Sequence, residues 1–415
     1  MSKKRIVYIV NRWGHPLQKF FIKYVRESGS AEVTVLQLPA IHSDTKRFKL
    51  SAFAITEAGQ NVPFELDLWF PFGSLFKITL QYFLNFFITF KLLRRAGIKY
   101  FDICIGEVGF NGAIALILKK LGKCKFSIFM NGDIIPNSAI KDKVYYLDGG
   151  KRKAGLAKFF DNFLIRFQYW LRRIGYKNDL IWYPNRKVME WDAQAGYIPR
   201  KYFIAPVAVD NVMTEVNLKS RKNNNEICYI GGLYENSGFN IILSSLKAVK
   251  EKISNIKLLV VGGDGSSIET YRKLVTSYGI SDNVKFFGFL PDEERVFSIL
   301  SGTMLGLAAY RPSKSNVSLY TDSSKVKMYI SAGIPVVITR GGPSVWEDIE
   351  RFKSGLIVDY DDRDIARKVI SALTDKSYYT ELQAGVSSFA KEYDYRRLFK
   401  EAWSNIETEF NRKFN

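Results

Sequence analysis

Histidine is almost missing from this 415-residue chain: there are two, His15 and His42. That scarcity argues against any centre that needs several imidazoles as acids, bases or metal ligands. Cysteine is scarce as well. Cys104, Cys124 and Cys228 stand far apart without metal-ligand spacing, which excludes a disulfide scaffold and a zinc module. Cys104 and Cys228 lie in apolar runs and read as buried thiols of a reducing compartment. Long apolar runs are absent too. The longest candidate, 78–90, is bounded by Lys77 and Lys91 and contains Gln81 and Asn85. It falls short of the roughly 20 residues that cross a bilayer. The opening MSKKRIVYIV lacks a signal-peptide core and cleavage site, and reads as a first buried strand. These absences lead to the expectation of a cytoplasmic protein, soluble or bound at a membrane surface.

Acidic residues are also in short supply, 41 against 61 lysines and arginines, for a formal charge of +20. Such an excess points to a polyanionic partner: nucleic acid, an anionic membrane surface or a phosphorylated substrate. No RNP, zinc-finger, KH or helix-turn-helix pattern occurs, so nucleic acid is not expected. Aromatic residues reach 15%, and they mix with cations in 151–177, KRKAGLAKFFDNFLIRFQYWLRRIGYK. Rings at helical spacing among lysines and arginines suit the headgroup region of an anionic membrane, where the inner face of the cell membrane is the expected partner. The plain alternative is an aromatic stripe packed inward beneath solvated charges.

The chain alternates short apolar runs with longer amphipathic ones, the rhythm of parallel sheets covered by helices. Strands are expected at 5–10, 32–38, 101–105, 125–130, 180–183 and 202–206, with helices at 16–28, 75–97, 112–121 and 151–176. Lysine, arginine and asparagine crowd 210–225, which reads as a linker. A second array follows, with strands at 226–230, 257–261, 284–287, 305–309 and 355–358. The expected division is 1–207 as a first Rossmann-like domain, 208–385 as a second, and 386–415 as a helical segment packing back across both. The fold class is α/β, two Rossmann-like domains facing across a cleft.

The run 323–339, SSKVKMYISAGIPVVIT, reads as a loop, an amphipathic helix, a Gly-x-Pro turn and a buried strand. Ser323 or Ser324 is placed to cap the helix and Gly333 to end it. A helix that opens on Ser-Ser-Lys offers free N–H groups, hydroxyls and an ammonium, the groups that hold a diphosphate.

Five segments in order, YIGGLYENSGF at 229–239, LLVVGGDG at 258–265, VKFFGFLP at 284–291, the 323–339 run and SGLIVD at 354–359, resemble the nucleotide-sugar half of family 4 retaining glycosyltransferases of the GT-B fold. The resemblance covers about 226–375. It implies transfer of a sugar, with retention, from a nucleoside-diphosphate donor to a hydroxyl of a lipid-linked or polysaccharide acceptor, as in surface-polysaccharide or lipopolysaccharide assembly. It also implies no cofactor and no metal. Gly231 and Gly232 match the family's glycine turn, and Phe289 stands where members pinch the base with main-chain groups. Asp322, Ser323, Ser324 and Lys325 would present N–H groups to the phosphates.

The chain departs from that pattern at four positions of the second half and one of the first. Gly232 and Ser237 stand where members carry the arginine and lysine that neutralise the diphosphate. Tyr320 and Met328 stand where they carry two glutamates, and methionine accepts no ribose hydroxyl. Arg311, Lys314, Lys325 and Lys327 are the nearby replacements for the lost charge. In the first half Asn131-Gly132-Asp133 replaces the family's histidine, which makes Asp133 the candidate catalytic carboxylate and Asn131 an acceptor-side residue. His15, after the first strand, and Glu107, after the fourth, are further acceptor-side candidates. The acidic run Asp361-Asp362-Arg363-Asp364 precedes a helix and reads as its cap rather than a metal motif. A non-hydrolysing epimerase of the same fold is disfavoured by the two histidines. The alternative from another class is a non-catalytic nucleotide-sugar-binding or scaffold protein.

Overall fold

The computed structural model describes residues 3–11, 13–39, 47–69, 74–132, 166–167, 169–220, 224–313 and 316–414. The chain forms two compact units, one of Met1–Pro206 with Phe399–Asn415 and one of Val207–Leu398.

The first unit holds an eight-stranded sheet. Its strands are β1 (Lys4–Val10), β2 (Ala31–Gln37), β3 (Arg47–Ile55), β4 (Asn61–Trp69), β5 (Phe101–Glu107), β6 (Cys124–Met130), β7 (Leu180–Tyr183) and β8 (Tyr202–Ile204). They lie in the order β4-β3-β2-β1-β5-β6-β7-β8. Six run parallel, and β1, β2, β5, β6 and β7 each carry an unbroken buried run because helices cover both faces, whereas the edge strand β8 leaves Tyr202 and Ile204 exposed. Along β1, Val7 and Ile9 join the core beneath the helices Ser74–Arg95 and Val108–Lys120, while Tyr8 meets Phe21 on the opposite face.

The antiparallel pair β3–β4 escapes a reading based on apolar runs. Its strands alternate instead, with Leu50, Ala52 and Ala54 buried while Ser51, Phe53 and Ile55 are more exposed, because this edge of the sheet is covered on one face only. The expected helix at 151–176 lies partly outside the described residues; its described part, 166–167 and 169–175, is helical.

The second unit is built on a six-stranded, wholly parallel sheet: β9 (Glu226–Ile230), β10 (Lys257–Val261), β11 (Val284–Gly288), β12 (Leu305–Ala308), β13 (Val336–Thr339) and β14 (Gly355–Val358), in the order β11-β10-β9-β12-β13-β14. Both faces are dry. Ile227 and Tyr229 enter one core, and Cys228 and Ile230 the other.

Two sequence expectations need correction. The stretch read as a linker contains the helix Asn211–Ser220, which belongs to the second unit. Its polar residues are spent inside the fold: Thr214 Oγ1 donates to the Ile330 carbonyl at 3.1 Å and Asn217 Nδ2 to that of Ser331 at 3.2 Å. They thereby add side-chain donors at the end of the helix Ser324–Ser331, where the Ile330 carbonyl also accepts the Gly333 N–H. The returning segment also begins later than 386. Val386, Phe389 and Ala390 sit in the second unit's core, and the chain rejoins the first unit only at Phe399.

From there the helix Tyr395–Phe414 is bound tightly to the first unit. The Phe399 ring meets Phe21 edge-on at 5.6 Å and Trp182 at 6.2 Å, and all three are fully buried. Lys4 pairs with Glu407 at 3.1 Å, and Lys413 with Asp179 at 2.6 Å. Phe399→Ala is therefore expected to destabilise the protein by about 3–5 kcal/mol, read from denaturant unfolding, although the residue lies at the far end of the chain.

Candidate functional site

In each unit the strand order reverses at one point, between β1 and β5 in the first and between β9 and β12 in the second. Open parallel sheets bind ligands at the carboxyl edge of such a reversal. Most of the candidate residues lie there.

In the second unit the edge is formed by backbone. The Gly231 N–H donates to the Val261 carbonyl at 2.9 Å, and the Gly262 N–H to that of Gly288 at 2.7 Å. A β-carbon on Gly262 would sit 2.3 Å from the Gly231 oxygen, and φ is +117° there, so only glycine fits. Gly232 turns its carbonyl inward, where it accepts from Tyr229 Oη at 2.7 Å and Ser237 Oγ at 3.0 Å. Ser237, read as a missing cation, thus pins the turn.

Across the reversal lies the helix Ser324–Ser331. Ser323 caps it, its Oγ accepting from the Val326 N–H at 3.4 Å and bonded to Tyr310 Oη at 2.9 Å. Lys325 leaves the first turn with its ammonium 3.9 Å from the Tyr229 ring centre and 5.1 Å from that of Tyr310. A β-carbon on Gly231 would lie 3.5 Å from this Nζ. Burial alone draws its pKa down to about 7, and no carboxylate pairs with it among the described residues.

Lys327, two positions on, is 1% exposed and settled. Its Nζ lies 3.3 Å from the Tyr393 ring centre and 4.0 Å from Asp322 Oδ1. Burial lowers its pKa to about 8, with Asp322 and Asp348 working the other way.

Three donor-side candidates have surroundings that the sequence did not foretell. The Asp322 carboxylate is buried, accepts the Val207 N–H at 2.5 Å and faces Lys327, so this side chain is structural. Arg311 is engaged by Glu235 in a surface ion pair rather than held ready as a replacement cation. Phe289 follows Gly288 with its ring 66% exposed. Tyr320, Ser324 and Met328 are partly buried around the same helix, and Lys314 lies outside the described residues. The roles of Tyr229 and Tyr310 were missed. The available signal was an aromatic residue at the end of each strand flanking the reversal. Asp361 caps the helix Asp362–Thr374 by accepting the Asp364 N–H. Among the described residues no group of three His, Cys, Asp or Glu could hold a metal.

In the first unit His15 caps the helix Pro16–Glu27 through Nδ1, which accepts the Leu17 N–H at 3.3 Å. The opposing partner is Gln18, whose Oε1 accepts the His15 N–H. Gln18 Nε2 then donates to Glu107 Oε2 at 2.6 Å, so two acceptor-side candidates are joined through a residue not foreseen. Directly after Glu107, Val108 has φ +62°, an unusual value for a β-branched residue. Asn131 is buried at the end of β6, with Nδ2 donating to Tyr176 Oη at 2.9 Å and to Asp192 Oδ2. Asp192, its pKa raised by burial against the pull of Arg172, pairs with Arg172 Nη2 at 2.7 Å. Neither Asp192 nor Arg172 carries any local sequence signal. Asp133 lies outside the described residues.

Residues 224–375 match the family model described as glycosyl transferases group 1. That stretch takes in all six strands of the second unit's sheet. No curated protein matches the chain. Among solved structures it is similar to Anabaena Alr3699/HepE in complex with UDP, at 10% identity and TM-score 0.60, over 97% of this chain and 100% of that one. It is also similar to sucrose-phosphate synthase from Thermosynechococcus elongatus (12%, TM-score 0.67, 99% and 100%) and to WaaG, a glycosyltransferase of lipopolysaccharide biosynthesis (13%, TM-score 0.61, 96% and 98%). At these identities the likeness shows the fold, which is the GT-B fold of glycosyltransferases.

Within the matched stretch the two lysines call for opposite results. A lysine whose folded pKa is below its unfolded value binds fewer protons when folded, so it opposes folding at pH 7 and below and ceases to do so near pH 10. Lys325→Met is expected to raise Tm at pH 6–7, with the gain vanishing towards pH 10. Lys327→Met strands the Asp322 carboxylate and is expected to cost on the order of 3 kcal/mol at pH 7. Thermal unfolding of both variants across this pH range checks the contrast.

Proposed function

We propose that this protein transfers a sugar from a nucleoside-diphosphate donor to a hydroxyl of a lipid-linked or polysaccharide acceptor, with retention, in surface-polysaccharide or lipopolysaccharide assembly. The observation that carries the reading is the edge of the second unit, where glycine turns, a Ser323-capped helix and the Lys325 ammonium converge within the stretch that matches the group 1 glycosyltransferase model. The N–H groups at the helix start and the ammonium would hold the diphosphate, which carries two negative charges in the donor and gains a third as it leaves. HepE, of the same fold, is complexed with UDP, which makes UDP the first base to try.

In the reaction the acceptor oxygen bonds to the anomeric carbon as the bond from that carbon to the β-phosphate oxygen breaks. The acceptor proton passes to Asp133 in this reading, and Glu107, His15 and Asn131 orient the acceptor. Support for the acceptor side is the fixed Asn131 and the strained backbone beside Glu107, since strain of this kind gathers at functional sites. No metal is invoked.

The test is a thermal-shift panel with UDP, GDP, ADP and dTDP, with and without magnesium. One diphosphate is expected to stabilise the protein without metal, by about 2.7 kcal/mol at 100 times its Kd. Asp133→Asn should then keep that shift and lose turnover by 100-fold or more. A panel with no shift favours the scaffold reading, and unchanged turnover removes Asp133 from the mechanism.

The acceptor class and site of action draw support from one exposed patch. Phe83, Phe87 and Trp170 are 56%, 63% and 54% exposed, and Phe167 stacks on both Phe83 and Trp170. Exposed Lys91, Arg94, Arg166 and Arg173 lie on the same two segments, and the helix Ser74–Arg95 contains no acid. We assign this patch to the inner, anionic face of the cell membrane. Sedimentation with vesicles containing anionic lipid should exceed that with neutral vesicles and fall several-fold in Phe83→Ser/Phe87→Ser; equal binding to both vesicles counts against it.

A further inference from the structure

Lys325 is poised differently from an ordinary phosphate-binding lysine. Its ammonium is lodged between the Tyr229 and Tyr310 rings and the Gly231 turn, on a residue that is partly buried. Ring faces attract a cation, but too weakly to replace its lost hydration. Among the described residues, the groups around it supply no compensating charge. On β9 the Tyr229 hydroxyl is occupied with the Gly232 carbonyl, and after β12 the Tyr310 hydroxyl is bonded to Ser323. On its own helix Lys327 faces Asp322 and Tyr393. Beyond the glycine turn Glu235 is paired with Arg311.

We propose that Lys325 is substantially neutral in the free protein and takes up a proton when a nucleoside-diphosphate sugar binds, so that one amine couples donor affinity to pH. This rests on the donor site assigned above. A sugar diphosphate diester brings two fixed negative charges that do not titrate near neutrality. Placed at the start of the helix, they favour the charged amine. By linkage, whatever the donor adds to proton affinity the proton adds to donor affinity. The free amine, with a pKa near 7, is about one-tenth charged at pH 8 and almost fully charged beside a diphosphate. Donor release then returns the proton, and the site reverts to a state that repels no cation and attracts few anions.

The experiment is calorimetric titration of the full chain with UDP-glucose, GDP-mannose and ADP-glucose at pH 8, in HEPES and in Tris, whose ionisation enthalpies differ. For the donor that binds, the expected uptake is about 0.8 proton per site, and Kd is expected to rise about tenfold from pH 7 to pH 8.5. Lys325→Arg, charged throughout, should bind with no uptake and a flat pH profile, and Lys325→Met should bind at least tenfold more weakly at pH 7. Binding by the wild type without proton uptake overturns this inference and leaves the donor site standing. Uptake that persists in Lys325→Arg also overturns it. Failure of all three donors to bind between pH 6 and pH 8.5 overturns the donor-site reading, and this inference with it.

Discussion

No β-carbon fits between the ends of β9 and β10, and the second unit is arranged around that constraint. The Gly262 α-carbon is pressed against the Gly231 carbonyl, and the Gly262 amide reaches on to Gly288. On the other side of the turn, a β-carbon on Gly238 would meet the Ala309 carbonyl at 1.5 Å. The ends of four strands, β9 to β12, are thereby drawn together by main chain alone. A side chain at any of these points would part them and carry the strain of a left-handed backbone as well. What remains is an edge bare enough for a ligand to approach the peptide groups. Lys325 is the cation that overlooks it.

The helix bearing Lys325 has eight residues, too few to persist on its own. It is held at both ends by distant partners: Ser323 and Tyr310 at the start, Thr214 and Asn217 at the finish. Its two central lysines, two positions apart, point to different sides. Lys327 is balanced by Asp322, whose carboxylate also anchors Val207, the first residue of the unit. Lys325 has no such balance among the described residues. A short helix fixed this firmly keeps an uncompensated amine in place, where a flexible segment would let it swing out to water.

The parallel sheets, the Ser323 cap and the Gly333 stop were legible because each depends on local pattern: apolar runs of strand length, a hydroxyl before a periodic segment, a glycine after it. What stayed hidden depends on partners. The β3–β4 hairpin alternates because it is an edge, and edges show only when neighbours are known. Residues 211–220 looked like a linker because their polar side chains gave no sign that Thr214 and Asn217 would meet helix carbonyls. Arg311 and Asp322 were legible as charges, yet Glu235 and Lys327 decide what those charges do. The glycines at 231 and 232 were read correctly as a turn. The stacking of Gly231, Gly262 and Gly288 into one edge needed the strand order.

The first unit shows how a buried ion pair is used for position. Arg172 pairs with Asp192, and the same arginine packs on Gly109, where an added β-carbon would touch the Arg172 β-carbon at 3.4 Å. Gly109 opens the helix that follows Glu107 and the strained Val108, while Asp192 fixes the amide of Asn131. Glu107 and Met130 are register partners on β5 and β6, so Glu107 and Asn131 end adjacent strands. Holding Val108 in its unfavourable backbone costs about 1–3 kcal/mol, and a buried pair is rarely a net gain in stability. Two costs concentrated on a single arginine make little sense as a way to stabilise a sheet that already has a dry core on both faces. They make sense if the carboxylate at the end of β5 and the amide at the end of β6 must keep a fixed separation, as two groups that orient one acceptor would require.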